Sequence, residues 1–335
     1  MTASPRHAAP LAATPLAADS VLAAFAAEVG NDGPVAVEGG HTRWLVGGEL
    51  AQGTRLVRAP SGVVAYAPEE MTVTVRAGTP VAELAAVLAQ HGQRCALPER
   101  GPHSTVGGAI AVGENHLCVL GRGTVRAGVL EVRYVSAEGR LIRAGGPTVK
   151  NVTGFDLPRL LCGSLGTLGL FAEFVLRTNP IPPATTWMVG EYEPGSGVPF
   201  ALRDELLSSV AVLIDGQQVW VCVEGHPADV REQVGRMPAH FREADGPPPL
   251  PAHRWSLTPG DVHQLGRPTC AHHTGAFVAA VGVGTVWAQH PQPPLPSAPG
   301  NAALAELASR IKHNFDPTGR LNPGRVVGSR GIGGV

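Results

Sequence analysis

Glycines interleaved with small apolar and hydroxyl residues constrain this chain more than any other feature. Residues 104–169 open with Ser104-Thr105-Val106-Gly107-Gly108-Ala109-Ile110-Ala111-Val112-Gly113 and close with Gly163-Ser164-Leu165-Gly166-Thr167-Leu168-Gly169. Flexible linkers are Gly/Ser-rich but lack the interleaved Val, Leu and Ile. The pattern suits backbone that runs close to a ligand inside a packed domain. Glycine permits positive φ and removes the Cβ, so successive N–H groups can converge on an anion.

An earlier turn has the same character. The β run Val35-Ala36-Val37 ends in Glu38-Gly39-Gly40-His41-Thr42-Arg43, followed by Gly47-Gly48. A strand and then a tight glycine turn with hydroxyl and basic residues suits a pyrophosphate cradle, with backbone N–H groups, the Thr42 hydroxyl and the Arg43 charge as donors. An ordinary glycine hairpin fits these residues equally well. Neither GxGxxG nor GxxxxGK[ST] occurs, which disfavours a Rossmann or P-loop domain.

Composition narrows the function classes. The chain has 335 residues, 44% of them hydrophobic and 16% charged, with net charge −1. That length allows one large domain or two moderate ones. No basic run and an aromatic content of 5% argue against a nucleic-acid partner. The 5 cysteines are scattered without CxxC spacing, so they are expected to be reduced cytosolic thiols and to hold no iron–sulfur cluster. Cys270-Ala271-His272-His273 is the suggestive metal patch. Adjacent residues rarely close a tetrahedral site without distant ligands, so a loop or strand end is expected there. No apolar run reaches membrane-spanning length. Residues 1–18, rich in Ala and Pro, read as a disordered lead-in and not a secretory signal. The sequon Asn151-Val152-Thr153 is then a chance match.

Asp19 or Ser20 should cap a helix bearing Val21, Leu22, Phe25 and Val29 on one face, stopped at Gly30. Short strands are expected at 56–59 and 63–66, and an alternating strand at 71–78 with Val73 and Val75 facing one way. Thr79 should cap a helix from Pro80 that closes at Gly92. Leu97-Pro98-Glu99-Arg100-Gly101 leads into the long glycine stretch. A hairpin should join 129–135 to 141–144 through Glu138-Gly139. Asp156 should cap a short helix before a strand at 170–177. Pro180, Pro182 and Pro183 mark a boundary. Beyond it, Asp215-Gly216 joins two strands, Pro227 starts a helix, 277–287 returns to strand, and Asn301 caps a helix with Leu304, Leu307 and Ile311 in register.

Four pieces in this order resemble the FAD-binding oxidoreductases of the vanillyl-alcohol-oxidase / p-cresol-methylhydroxylase (PCMH) superfamily: Gly39-Gly40-His41-Thr42-Arg43, Thr105-Val106-Gly107-Gly108-Ala109-Ile110-Ala111, Gly163-Ser164-Leu165-Gly166-Thr167-Leu168-Gly169 and Asn322-Pro323-Gly324-Arg325. Within it, Val149-Lys150-Asn151-Val152-Thr153-Gly154-Phe155-Asp156-Leu157 is most similar to the FAD-binding subunits of glycolate-oxidase-type complexes. Phe155 stands where relatives usually have Tyr, and His41 where a glycine is usual.

The resemblance implies an α+β fold. A PCMH-type FAD domain of two α+β subdomains would span 19–182, a small α+β cap 183–300, and 301–335 would supply a C-terminal helix returning to the FAD domain. It implies non-covalent FAD, with the pyrophosphate held by Gly39, Gly40, His41, Thr42 and Arg43. Ser104, Thr105, Val106, Gly107, Gly108, Ala111 and Gly113 would run along the phosphates towards the isoalloxazine. Pro98, Gly121, Thr124, Asn151, Gly154 and Thr167 complete the implied cofactor set. The activity implied is oxidation of a 2-hydroxy acid of the glycolate or D-lactate class to the 2-oxo acid. Electrons would leave to an iron–sulfur subunit, within a complex that holds a second FAD-binding subunit. The chain would be cytoplasmic, peripheral to the membrane only through partners. A stand-alone FAD oxidase or dehydrogenase of another alcohol, and a scaffold subunit that kept the fold, are the alternatives. Residues 184–300 are short for a substrate domain, and His240, His253, His263, His272, His273, Arg254 and Arg267 show no spacing that singles out a base.

Overall fold

The computed structural model describes residues 19–146, 156–267, 270, 272, 274–292 and 301–327. The chain divides into two compact units. The first holds residues 1–116, 124–181 and 298–335, and the second holds 117–123 and 182–297. The 117–123 segment, expected inside the cofactor domain, therefore belongs to the second unit.

Asp19 caps α1 (Ser20–Val29), its carboxylate accepting from Val21 N–H. Leu22, Phe25 and Val29 are buried while Val21 is exposed, so the apolar face is narrower than the sequence pattern suggested. β1 (Val35–Val37) pairs parallel with β2 (Arg55–Val57). A hairpin joins antiparallel strands, so the glycine turn after β1 is not one. It opens a long crossover instead.

The remaining strands of this unit are β3 (Val63–Ala67), β4 (Thr72–Arg76), β5 (Gln93–Arg94), β6 (Val129–Val135), β7 (Leu141–Gly145), β8 (Leu170–Arg177) and β9 (Asn179–Pro180). An antiparallel sheet runs β3-β4-β8-β6-β7, and β5 pairs with β9. The helices are α2 (Val81–Ala89), α3 (Val106–Val112), α4 (Val119–Arg122, in the second unit), α5 (Val125–Gly128) and α6 (Leu157–Leu161). Period-2 alternation buries Val73 and Val75 of β4 in one core with Leu84 and Leu88 of α2 and Ile110 of α3. A row of alternating charges crosses the sheet. Glu173 of β8 pairs with Arg76 at 3.3 Å and Arg133 at 3.0 Å, and Glu131 of β6 pairs with Arg143 at 2.7 Å. Burial pushes the Glu173 carboxyl above its usual range, against the pull of Arg133 and Arg76. Thr79 does not cap α2. Its hydroxyl accepts from Gly62 N–H at 2.8 Å and donates to Arg76 O at 2.8 Å, fastening the turn before β3.

The C-terminal helix, Asn301–Phe315, rests Ile311 and Phe315 on that core, whereas Leu307 is exposed and the Leu304 side chain lies outside the description. Beyond it, buried Asp316 accepts from Arg320 N–H and Leu321 N–H. That turn aims Arg320 at five backbone carbonyls: Val29, Asp32 and Gly33 at 2.8–2.9 Å, Ala137 at 3.1 Å and Gly30 at 3.2 Å. Leu321 then bridges to Val35 of β1. Hydrogen bonds to a charged group contribute more than neutral ones, and their loss strands buried carbonyls. Arg320→Ala is expected to lower unfolding free energy by about 3 kcal/mol or more, read as a shifted urea midpoint at unchanged slope. An unshifted midpoint would remove the tail's stitching role.

The second unit contains β10 (Ala184–Glu191), β11 (Ser209–Ile214), β12 (Gln218–Gly225), β13 (Arg242–Ala244), β14 (His253–Ser256), β15 (Phe277–Ala280) and β16 (Thr285–Ala288), with α7 (Val198–Glu205), α8 (Pro227–Gly235) and α9 (Pro259–Val262). Its antiparallel sheet runs β13-β10-β12-β11-β15-β16-β14. Asp215 closes the β11–β12 hairpin by accepting from Gln217 and Gln218 N–H groups. The expected single strand at 277–287 is two, because the chain reverses through Gly282 (φ 77°) and Gly284 (φ 85°). Val212, Ile214, Val221 and Val223 enter one core with Trp255 and Leu202. Ala211, Leu213 and Cys222 enter another with Cys118, so the 117–123 segment covers a face of this sheet. Among the described residues, no helix is long and apolar enough to cross a membrane.

Candidate functional site

The glycine runs of the first unit meet. The C-terminal end of α3 accepts the third run, Gly163 N–H donating to Ile110 O at 3.0 Å and Leu165 N–H to Ala111 O at 2.8 Å. A Cβ on Gly39 would lie 3.1 Å from Thr105 Oγ1, one on Gly40 would lie 1.5 Å from His103 O, and one on Gly47 would lie 2.3 Å from a Leu165 methyl. The glycines are thus spent largely on loop-to-loop approach. The tail joins them: Val326 N–H donates to Gly47 O, and Asn322 Nδ2 occupies the space that a Cβ on Gly166 would need.

Between these segments lies a cleft that is partly open to solvent. Gly39 to Trp44 line it, with Thr105, Gly107, Gly108 and Ala111 of the second run, Leu165 and Gly166 of the third, and Asn322 and Arg325 of the tail.

Where the N–H groups go distinguishes the runs. Val106, Gly107 and Gly108 donate to Thr79 O, Ala77 O and Thr105 Oγ1. The second run's amides are therefore committed to holding α3 in place and are not available along phosphates as expected. In the first run, among the described residues, the N–H groups of Gly39, Gly40, His41, Thr42 and Arg43 donate to no protein acceptor. Polar backbone groups beside a cleft need partners, and successive unpaired amides form an anion nest. His41 lies at φ 58°, a left-handed turn within that row.

Arg43 departs most from expectation. Its side chain is buried, and Nε is ion-paired with Glu114. Nη1 donates to Ser104 Oγ at 2.6 Å and Thr42 Oγ1 at 3.2 Å, and Nη2 to Pro98 O at 3.1 Å. The guanidinium is consumed inside the protein and its charge cancelled by Glu114, so Arg43 braces the loop and is not a free phosphate ligand. Ser104 and Pro98 line no part of the cleft. They are reached through Arg43. His41 donates Nε2–H to Glu38 at 2.8 Å and stacks on Trp44 with ring centroids 4.4 Å apart. Hydrogen bonds from His41 and Arg58 hold the Glu38 carboxyl below its usual range.

The other expected residues fall elsewhere. Val106 is in the core, and Gly113 is the left-handed cap of α3 at φ 66°, packed on Gly163. Thr124 caps α5 by accepting from Ala127 N–H. Thr167 donates to Ser164 O, and its own carbonyl accepts from Lys312. Gly121 belongs to the second unit, where a Cβ would lie 2.2 Å from Val210. Asn151 and Gly154 lie outside the described residues. In the Cys270 patch His272 N–H donates to Cys270 Sγ at 3.4 Å and the His272 ring meets the Trp255 ring edge-on, while Ala271 and His273 lie outside the description.

Sequence reasoning missed Trp44, Glu114, Leu165, Gly166, Asn322 and Arg325 as site residues. Arg325 donates to Val46 O and Gly48 O, and its guanidinium carbon lies 5.0 Å from the Trp44 ring centre. A signal for it existed in the Asn322–Arg325 motif, and Trp44 stood inside the glycine turn. The residues fit a dinucleotide. The free amides suit a pyrophosphate, and Val37, Ala59, Ala77, Ala111, Val112 and Leu170 give the cleft apolar walls for flat rings.

Comparison with known proteins agrees. The family model described as "FAD binding domain" matches residues 9–145. The chain is 27% identical over 337 residues to the Escherichia coli protein called glycolate oxidase subunit GlcE, covering 88% of this chain and 92% of that one. It is 29% identical over 187 residues to the mitochondrial D-lactate dehydrogenase [cytochrome] of Arabidopsis thaliana, covering 56% of this chain but only 31% of the plant protein. A solved structure of alkyldihydroxyacetonephosphate synthase superposes at TM-score 0.51 and 16% identity, over 60% of this chain and 45% of that one, a likeness of fold.

Proposed function

We propose that this chain, an FAD-dependent oxidoreductase with a PCMH-type FAD-binding domain, holds its flavin on the Gly39–Arg43 amides and serves a glycolate-oxidase-type complex. The observation that carries the reading is the row of unclaimed N–H groups in a cleft walled by all the glycine runs. These groups would receive the pyrophosphate, as preorganised donors do for developing or resident anions. Thr105 would abut the same anion, and Arg325 and Trp44 would close the cleft beside it. Bound FAD would supply the acceptor for hydride from the hydroxyl-bearing carbon of a 2-hydroxy acid of the glycolate or D-lactate class. Similarity to a glycolate oxidase subunit over most of both chains supports that substrate class and membership of a complex. Electrons would leave to an iron–sulfur subunit, with a second FAD-binding subunit alongside, in the cytoplasm and at the membrane only through partners.

A second reading is favoured by the second unit. His226 caps α8, His240 contacts Glu191 O, and His263 contacts Arg267. These histidines serve structural contacts, so the complex's other flavin subunit would bring the base and this chain would carry electrons.

Purification with native partners tests both. The expected result is a stoichiometric flavin spectrum that bleaches anaerobically with glycolate or D-lactate. Bleaching only in the complex selects the second reading. A colourless chain that takes up no added FAD would end the proposal.

A further inference from the structure

The second unit contains a constellation that the flavin chemistry does not use. Two thiol sulfurs and a carboxylate oxygen, from Cys118, Cys222 and Glu224, lie within 4.8 Å of one another, and all three residues are buried. Elementary geometry puts them there. Residues i and i+2 of a strand share a face, so Cys222 and Glu224 project from one side of β12. A helical turn, closed by Arg122 N–H donating to Cys118 O at 2.9 Å, stacks Arg122 over Cys118. Arg122 Nη2 then meets Glu224 Oε1 at 3.0 Å. Gly121 allows the approach, since any Cβ there would strike Val210 of β11.

We propose that Cys118, Cys222 and Glu224 form a binding site for a divalent cation of the zinc class. Two thiolates and a carboxylate are a ligand set zinc accepts, whereas sulfur disfavours calcium and magnesium. At a zinc–sulfur distance of about 2.3 Å, tetrahedral ligands stand about 3.8 Å apart, inside the 4.8 Å that bounds the separations present. Water would take the fourth position. The charge closes as well. Without metal the site holds two thiol side chains and the Arg122–Glu224 pair. On binding, a dication enters and each thiol releases one proton to solvent, so the buried net charge stays at zero. A site that gained net charge on binding would meet the cost of burying it uncompensated. The cation would cross-link the Leu117–Gly123 segment to β12 within the second unit.

Cobalt(II) titration of the full chain, reduced and metal-stripped, tests this. The expected result is one equivalent bound, with thiolate-to-cobalt charge-transfer and tetrahedral d–d absorption that zinc abolishes. Cys118→Ser and Cys222→Ser should each weaken binding by more than roughly a hundredfold, while Cys270→Ser leaves it unchanged. Glu224→Gln keeps both sulfurs and the side-chain volume. It should keep the charge-transfer band and weaken binding by about tenfold or more, which keeps the test decisive if a serine variant fails to fold. Absence of the thiolate band, a band that survives both serine substitutions, or an intact mass showing a Cys118–Cys222 disulfide in the native protein would overturn the site.

Discussion

Glu114→Ala is expected to destabilise the protein by about 3–5 kcal/mol and to leave it unable to retain flavin. Glu114 is 1% exposed. It pairs with the Arg43 guanidinium and, at 3.4 Å, with Arg100. Alanine would leave the buried Arg43 cation with Ser104, Thr42 and Pro98 as neutral acceptors. A buried charge stripped of its counter-charge costs far more than the pair itself contributes. The site should fail for the same reason. Arg43 ends the row of amides offered to the anion, and its side chain fixes that end against the Pro98 and Ser104 loops. Released, the side chain would seek solvent and carry the loop with it. Glu114→Gln, which retains an acceptor but no charge, should fall between alanine and the native residue. Urea unfolding and flavin bound per chain are the measurements. A native urea midpoint with full flavin in the alanine variant would refute the bracing role. Because the pair is buried, salt should change these results little.

Arg43 also shows where sequence reading stops. A basic residue in a glycine turn reads as an anion ligand because local spacing says nothing about a carboxylate 71 positions away. Local rules worked where the physics is local. Asp19 and Asp156 cap their helices, β4 alternates, and the 129–145 hairpin forms as its pattern required. They failed where a side chain had two competing uses. Thr79 could cap α2 or fasten the Gly62 turn, and it fastens the turn because the helix begins one residue later than expected, at Val81, with Pro80 in the cap position and Val81 N–H donating to Ser104 O. The meeting of the glycine runs was legible, since small residues at that density need close neighbours. Their division of labour was not. Gly107 and Gly108 have the composition of a phosphate loop, yet their amides are claimed by Ala77 and Thr105. Gly121 entered the cofactor set through the family resemblance, yet its segment packs in the other unit.

Gly40→Ala should separate flavin binding from folding more cleanly than any other single glycine of the cleft. The added methyl would stand 1.5 Å from the His103 carbonyl oxygen and 2.5 Å from its carbon. Those are backbone atoms, so no rotamer change relieves the contact, and the loop bearing the free amides must move. Each charge-assisted hydrogen bond lost costs about 1.5–3 kcal/mol. Two lost bonds then weaken FAD binding by roughly a hundredfold or more. The glycine turn itself sits at the surface with Arg43 as its buried anchor, so the thermal midpoint of flavin-free protein should fall by less than in Glu114→Ala. Gly107→Val should behave differently. A Cβ there would lie 2.9 Å from both the Cβ and the carbonyl oxygen of Ala77, at the seat of α3 on the sheet. Flavin retention and thermal midpoint should fall together in that variant, because the substitution breaks packing beneath the cleft before it reaches the ligand's space. Gly108→Ala, facing only the Thr105 hydroxyl at 3.0 Å, should be mild. Titration of apo-protein with FAD, followed by differential scanning calorimetry without it, gives both numbers for each variant. Native FAD affinity in Gly40→Ala would show that the pyrophosphate does not rest on the first glycine turn.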